Sequence, residues 1–211
     1  MISQMSKFLS IHNHSRQGSL RDGLSDIHEL VKISKERDMA FAITEHGSVG
    51  SWVQYNIACK KHGVKPVFGN EIYINRKRDR MFEVRAQLKR LKEMNKNSLS
   101  KEEKANLTHE VRQLSLEFDE IKKPRHLVVI AKNQHGLHNL LELSNVAYLK
   151  GFYNKPTNCY EEIFDLPKDK NGDRGIIVTS ACLASDSSQY ILAGKNGDAE
   201  DWAQLMREEL R

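Results

Sequence analysis

Three stretches decide how this chain is read: FLSIHNHS at 8–15, DGLSDIHELVKISKERDMAFAITEHG at 22–47, and VKPVFGNEIYI at 64–74. Each holds a short apolar run that leads into side chains of metal-ligand type. These are His12 and His14 in the first, Glu45 and His46 in the second, and Glu71 in the third. Alternate residues of an extended chain share a face, so His12 and His14 are predicted side by side. Two imidazoles so placed suit a divalent cation. In β/α architectures chemistry gathers at the C-terminal ends of strands. The three runs are therefore expected to deliver their ligands at one end of a sheet.

The intervening segments read as helices. Ser25 is a candidate N-cap, and Ile27, Leu30, Val31 and Ser34 follow at helical spacing. His28, beside Glu29, reads as a surface residue. The second run, Met39–Thr44, is too continuously apolar to be half exposed, which predicts a parallel sheet covered on both faces. Residues 51–62 form a second predicted helix with Gly63 as its C-cap, and 64–74 a third strand. Residues 1–7 read as a loose lead-in.

Residues 76–124 break the β/α rhythm. Met81, Val84, Leu88 and Leu91 are spaced three and four apart, as are Leu107, Val111, Leu114, Phe118 and Ile121. NKNSLS connects the two patterns, and Ser100 with Glu103 makes a capping box. An antiparallel helical hairpin is expected, protruding from the domain, with a coiled-coil seam. Its charged outer surface reads either as a solvated spacer or as a docking arm for DNA or a partner protein.

After Pro124 the rhythm returns. The sequence predicts a strand at 127–131 introduced by His126, a helix at 134–149, a turn at GFYNKP, a short helix at 160–164 and a fifth strand at 175–179 running into Cys182. Short helices near 187–193 and 198–210 close the chain. Five strands alternating with helices, ending in mid-pattern, predict a barrel-like β/α domain that is not complete.

Composition narrows the class. The 211 residues are 39% apolar and 29% charged, with a net charge of +5. That balance permits a nucleic-acid partner without demanding one. No run approaches the roughly 18 apolar residues of a membrane helix. The polar N-terminus does not resemble a secretory signal, so a cytoplasmic location is the expectation. Three cysteines without a spacing pattern argue against a disulfide framework and leave Cys182 free to act as a ligand.

The candidate ligands are His12, His14, Asp22, Glu45, His46, Glu71, His126 and Cys182. Taken singly, each is ordinary polar surface; together they recur at strand ends. Histidine with carboxylate suits zinc, manganese or iron, and a thiolate tilts one position towards zinc. Several ligands with a bridging carboxylate suggest a multinuclear site of the kind that activates water against a phosphoryl group.

HNHS, the Asp22-Gly23 pair, ITEHG, GNEIYI, RHLVVIAKN and SACL come in the order of a PHP (polymerase and histidinol phosphatase) domain. The chain resembles this family over most of 8–185, apart from the hairpin. The block CKKHGVKPVFGNEIYI, with HLVVIAKN, GFYNKP and IIVTSACLAS, is most similar to the branch that opens bacterial-type DNA polymerase III alpha subunits. The resemblance implies a partial, distorted (β/α)7 barrel spanning 1–75 and 125–211, C-terminally incomplete, with 76–124 as an inserted hairpin. It places metal ligands at His12, His14, Asp22, His46, Glu71, His126 and Cys182, with Glu71 bridging. Catalytic roles fall on Glu71 and on Glu45, which stands where the family usually has Asp and is expected to orient ligands. One to three divalent ions, zinc or manganese, are implied.

The family completes its set with a late Asp and His, and no histidine follows His138. The palm carboxylates and fingers of a polymerase are missing too, so the chain alone is not expected to synthesise DNA. The resemblance implies a metal-dependent phosphoesterase or 3′–5′ exonuclease site serving DNA replication. Its partners would be DNA, the rest of the polymerase and other replication proteins, with no membrane. The alternatives are a catalytically inactive scaffold for the polymerase or a proofreading partner, and a free-standing phosphatase of histidinol-phosphatase type. GFYNKP and SACLAS disfavour the last.

Overall fold

The computed structural model describes residues 8–94 and 99–210. The expected lead-in at 1–7 and most of the predicted connection at 95–100 lie outside the described residues. The chain forms two compact units, one from the segments before Asn75 and after Pro124, the other Asn75–Pro124.

In the larger unit β1 (Phe8–Ser10), β2 (Met39–Ile43), β3 (Val67–Ile74), β4 (Arg125–Ala131) and β7 (Ile176–Thr179) lie side by side in that order. The two short strands β5 (Phe152–Tyr153) and β6 (Lys155–Asn158) make a hairpin, and β6 pairs in parallel with the end of β3. GFYNKP, expected as a bare turn, is therefore a strand pair with Asn154 at its tip. Asn154 sits at φ 59, a left-handed conformation that asparagine tolerates better than most residues.

The sheet is mixed, which corrects the expectation of a parallel one. β1, β2 and β3 run parallel, but β4 is antiparallel to β3 and to β7. Parallel neighbours need a crossover on one face of the sheet, whereas antiparallel neighbours can be joined end to end. Ile74 and Arg125 face each other in register, so the segment between β3 and β4 leaves and returns at adjacent positions.

Continuous burial of the strands has another cause. The sheet curls into a half barrel, with α1 (Ile27–Glu36), α2 (Trp52–His62), α5 (Gln134–Leu149), α6 (Tyr160–Phe164) and α8 (Asn196–Glu209) contributing to one core. Phe41, Ile43, Ile72, Ile74, Leu127 and Val129 meet those helices. Ala42, Val128 and Ile130 form a small apolar cluster of their own. Both faces of the strands are thus filled without helices on each.

Local signals act largely as the sequence predicts. Gly63 ends α2 at φ 64, where a side chain would be strained. The N-cap of α1 is Asp26, one residue past the expected Ser25; its carboxylate accepts from the His28 backbone amide. His28 is exposed. Tyr55, fully buried, ties β2 to the start of β3: its hydroxyl donates to the Phe41 carbonyl (2.6 Å) and accepts from Val67 N–H (3.2 Å).

In the smaller unit α3 (Arg78–Glu93) and α4 (Lys101–Ile121) pack antiparallel. Asn75 Nδ2 donates to the Ile121 carbonyl, and Arg80 grips Glu117 with two hydrogen bonds of 2.7 and 3.0 Å. Ser100 and Glu103 form the reciprocal capping box. Met81, Val84, Leu88, Leu107 and Ile121 are buried, while Leu91, Val111, Leu114 and Phe118 are half-buried. α7 (Asp186–Leu192) belongs to the larger unit, where Asp186 accepts from the Tyr160 hydroxyl.

Candidate metal centre

Strand periodicity sets which side chains meet. Ile72 and Ile74 turn into the helical core, so Glu71 and Tyr73 point to the other face of β3. Leu127 and Val129 do the same in β4, leaving His126 on the face of Glu71, with Tyr73 and His126 opposite each other in register. Because β4 runs antiparallel, its first residues lie at the end where β1, β2 and β7 finish. A ligand before β4 and ligands after the others therefore fall together.

Pairing continues past the strands to fix the ligands. Thr44 N–H donates to the Asn13 carbonyl and Asn13 N–H to the Thr44 hydroxyl, holding His12 and His14 against β2. An isolated bridge joins His46 to Glu71. His126 N–H donates to the Ala184 carbonyl, which ties the loop after β7 to the start of β4. Cys182 follows Ala181, whose φ of 54 is uncommon for a residue with a Cβ.

Glu71 lies at the centre and is fully buried. Its Oε2 has His46 Nδ1 at 2.7 Å and His12 Nε2 and His14 Nε2 at 3.2 Å each. Its Oε1 has His126 Nδ1 at 2.9 Å and Cys182 Sγ at 3.5 Å. On the outer side His46 Nε2 meets Asp22 at 2.7 Å, and the rings of His14 and His46 stack at 4.2 Å. Six of the seven residues expected as ligands, all but Asp22, thus come within 3.5 Å of the Glu71 carboxylate or are Glu71 itself. Asp22, half exposed, joins through His46.

The donors are the right types at the right spacing for a cation. Glu71 Oε2 and His46 Nδ1 are both buried and without a hydrogen bond, despite lying 2.7 Å apart. Such atoms are costly to bury unless a shared proton or a bound cation satisfies them. Tetrahedral zinc with nitrogen and oxygen ligands sets neighbouring donors about 3.3 Å apart, and a nitrogen–sulfur pair about 3.6 Å apart. His12 Nε2, His14 Nε2 and Glu71 Oε2 are separated by 3.1–3.2 Å. His126 Nδ1 and Cys182 Sγ are 3.6 Å apart. Glu71 thus turns one oxygen to each of two donor groups.

The charges follow from this packing. Burial works against the Glu71 carboxylate, but the imidazoles of His12, His126, His14 and His46 outweigh it and hold its pKa far below the usual range. Glu71 beside His46 raises the imidazole pKa, burial opposes the rise, and Asp22 adds to it. Burial pushes the Cys182 thiol up, partly offset by a hydrogen bond from Ala184 N–H.

Glu45, expected in a catalytic role, is also fully buried, but its carboxyl turns away from the cluster. It accepts from the Ser15 hydroxyl and amide, from Ser19 Oγ (2.6 Å) and from Ser51 Oγ (3.0 Å). Ser19 Oγ lies 3.3 Å from His14 Nδ1 and accepts from His46 N–H. Glu45 thus reaches two of the histidines through one hydroxyl.

A cleft of about 640 Å³ opens over the cluster. Besides the ligand-type residues it is lined by Arg21, Tyr73, Asn154, Lys155 and Pro156, none of which the sequence assigned to the site. Tyr73 carried a positional signal, the two-residue spacing from Glu71, and Asn154, Lys155 and Pro156 lay in GFYNKP without a link to the cluster.

The sequence itself supplies the family. The sequence matches the PHP domain family over residues 10–211. It is 32% identical over 206 residues, 97% of its length, to the DNA polymerase III subunit alpha of Aquifex aeolicus, and 28% identical over 201 residues, 95% of its length, to that of Borreliella burgdorferi. It spans about 15% of the length of these curated relatives. An amidohydrolase from Chromobacterium violaceum aligns with 66% of this chain and 32% of its own at a TM-score of 0.35 and 14% identity, too loose a likeness to bear on fold or chemistry. The match across nearly the whole chain, on a curled α/β sheet with its donors at one end, makes this a member of the PHP family.

Proposed function

We propose that the chain is the N-terminal PHP domain of a DNA polymerase III alpha-like replicative protein, and that its cleft is a metal-dependent phosphoesterase site of the 3′–5′ exonuclease type. The observation that carries the reading is Glu71, whose two oxygens face two donor groups, with His12, His14 and His46 on one side and His126 and Cys182 on the other. Its branch rests on relatives that are DNA polymerase III alpha subunits.

His12, His14 and Glu71 would hold one divalent ion, and Glu71, His126 and Cys182 another, with Asp22 and His46 as a weaker third position. A divalent ion so held supplies Lewis-acid stabilisation of the charge that develops on a phosphoryl group. The protein's part is to keep the donors apart from one another and in place. Glu45 acts in this reading as a positioning residue, holding His14 and the His46 backbone through Ser19. The Tyr73 phenol, its pKa pushed up to about 12 by burial, stays protonated on the cleft wall and offers a donor there.

The test is single-stranded DNA labelled at its 5′ end, incubated with the chain and manganese or zinc. Shortening from the 3′ end that disappears in Glu71→Ala supports the reading. No shortening by the chain at full metal content favours the scaffold role.

A further inference from the structure

We infer that one edge of the α3–α4 hairpin, carrying Arg85, Lys89 and Lys92 of α3 and Lys104 and Lys122 beside α4, binds the phosphate backbone of duplex DNA without regard to sequence. The surface belongs to the smaller unit and uses no residue of the cleft, so it stands apart from the phosphoesterase reading. Charge distribution is the first observation. Residues 75–124 hold 14 Lys and Arg against nine Asp and Glu, whereas the other 161 residues hold 19 of each. The whole excess of +5 therefore lies in the hairpin segment.

Helical periodicity then sorts that charge by sign. Met81, Val84 and Leu88 mark the buried side of α3, and Leu107 and Ile121 that of α4. At about 100° per residue, Arg85, Lys89 and Lys92 fall together on one flank of the α3 seam. The other flank carries Arg80, whose guanidinium bonds Glu117 of α4, and this pair fixes which flanks of the two helices match. Glu103 and Glu110 fall on the Glu117 flank of α4; Lys104 and Lys122 fall on the opposite one, beside the α3 cations. Two acids border the basic edge: Asp119 is bonded to Lys122 at 2.6 Å, and Glu93 lies 3.9 Å from Lys89. A helix surface that is merely solvated interleaves its signs. This hairpin separates them, bases to one edge and acids to the other.

The cations are presented outward at set spacing. The Lys89 side chain is 77% exposed, and Arg85, Lys92 and Lys104 are exposed too. Arg80 and Glu117 stand level, so Lys92, twelve residues along α3, comes level with Lys104, thirteen residues back along α4. The row from Arg85 to Lys92 is about 10 Å long, and the buried seam beneath it fixes the spacing. Cations so arrayed neutralise successive phosphates and release their counterions, a form of binding that ignores base sequence. Duplex is favoured over single strand by what the edge lacks. Phe82 and Phe118 are the only Phe, Tyr or Trp of the segment, and both are half-buried. Unpaired bases are gripped by stacking on exposed rings, whereas a paired backbone asks only for charge.

The experiment uses the full 211-residue chain in chelator, so that no cleavage intrudes, and a fluorescein-labelled duplex of about 20 base pairs and arbitrary sequence. Anisotropy titrations across a range of potassium chloride concentrations give the affinity and its salt slope. The combined variant Lys89→Gln, Lys92→Gln, Lys104→Gln should flatten the slope of log K against log salt by about 2–3, close to one per lost phosphate contact. At 50 mM salt (about the low end of the working range) it should bind more than about tenfold more weakly. The matching Lys→Arg triple keeps the charge and should hold the parent's slope, which separates lost contacts from a damaged fold. Lys60→Gln, Lys61→Gln, Lys65→Gln makes the same charge change on exposed positions of the larger unit and should leave affinity within about twofold. Equal weakening by the two Gln triples would reduce the effect to net charge and overturn the inference. So would a parent that binds no duplex at low salt, or one that prefers a single strand of the same length. Polyglutamate bound in place of duplex, with the same loss in the hairpin triple, would also overturn it and make the edge a seat for an acidic protein.

Discussion

Glu45→Ala tests whether the buried carboxyl behind the cluster positions the histidines. The substitution strips an acceptor from the Ser15 hydroxyl and amide and from the Ser19 and Ser51 hydroxyls, all in buried surroundings. Each buried donor left without a partner costs about 1–3 kcal/mol, less where hydroxyls re-pair or water enters. A loss on the order of 4 kcal/mol is expected from four donors. The loop from Ser15 to Gly23 should loosen with it. Gly18 is packed so closely against Glu45 that a Cβ there would fall 2.4 Å from the carboxyl carbon, and Gly23 is equally tight against the Ser15 carbonyl. Metal affinity should fall about 10–100-fold, the usual consequence of removing a partner behind a ligand histidine. Urea unfolding in chelator measures the first quantity, and competition with a fluorescent zinc indicator the second. Glu45→Gln, which keeps volume and one acceptor, should lie between parent and Glu45→Ala on both scales. A Glu45→Ala protein with the parent's metal affinity, whatever its stability, would refute the positioning role.

Other expectations follow from the same geometry. Tyr55→Phe removes the hydroxyl that joins the Phe41 carbonyl to Val67 N–H and should cost about 1–3 kcal/mol in urea unfolding, with metal content unchanged. Replacing 75–124 by Asn-Gly should leave a folded, metal-binding domain, because Ile74 and Arg125 are already opposed at hairpin distance; loss of a cooperative transition would contradict this. In chelator the histidine cluster gives stability a definite pH dependence. His46 has a raised pKa, so its contribution is complete below about 6.5 and is lost as pH climbs through the raised value. Glu71 has a depressed pKa, so its contribution is present above the usual carboxylate range and is lost as pH falls below it. With zinc the upper limb should reverse, since imidazoles must lose their protons to bind metal; the zinc-induced rise in Tm should grow from pH 6 to pH 8.

How much of this was legible in the sequence depends on whether a residue carried a periodic signal. The pairing of His12 with His14, and of Glu71 with Tyr73, follows from the two-residue repeat of an extended chain. The helices with strong caps, such as Ser100 with Glu103 and Gly63 after α2, were equally readable. Strand direction was not, because an apolar run reads the same in either orientation. β4 runs antiparallel because the chain comes back at Arg125, opposite Ile74, instead of crossing over the sheet. His126 is nonetheless beside Glu71, because the reversed strand puts its start at the same sheet end. The environment of Glu45 was hidden for another reason. Ser15, Ser19 and Ser51 are dispersed loop and helix-cap hydroxyls, and only the fold shows that all three donate to one carboxyl. Lys155, inside GFYNKP, shows no link to the cluster until the β5–β6 hairpin is in place.

The central claim is that Glu71 stands between two metal ions. A crystal of the chain grown with zinc, and its anomalous scattering recorded above and below the zinc edge, tests it most directly. The account predicts one zinc peak among His12, His14 and Glu71 Oε2 and a second among Glu71 Oε1, His126 and Cys182, both gone in Glu71→Ala. A Glu71 carboxylate held only by hydrogen bonds from protonated histidines, with no anomalous peak on either side, would contradict it.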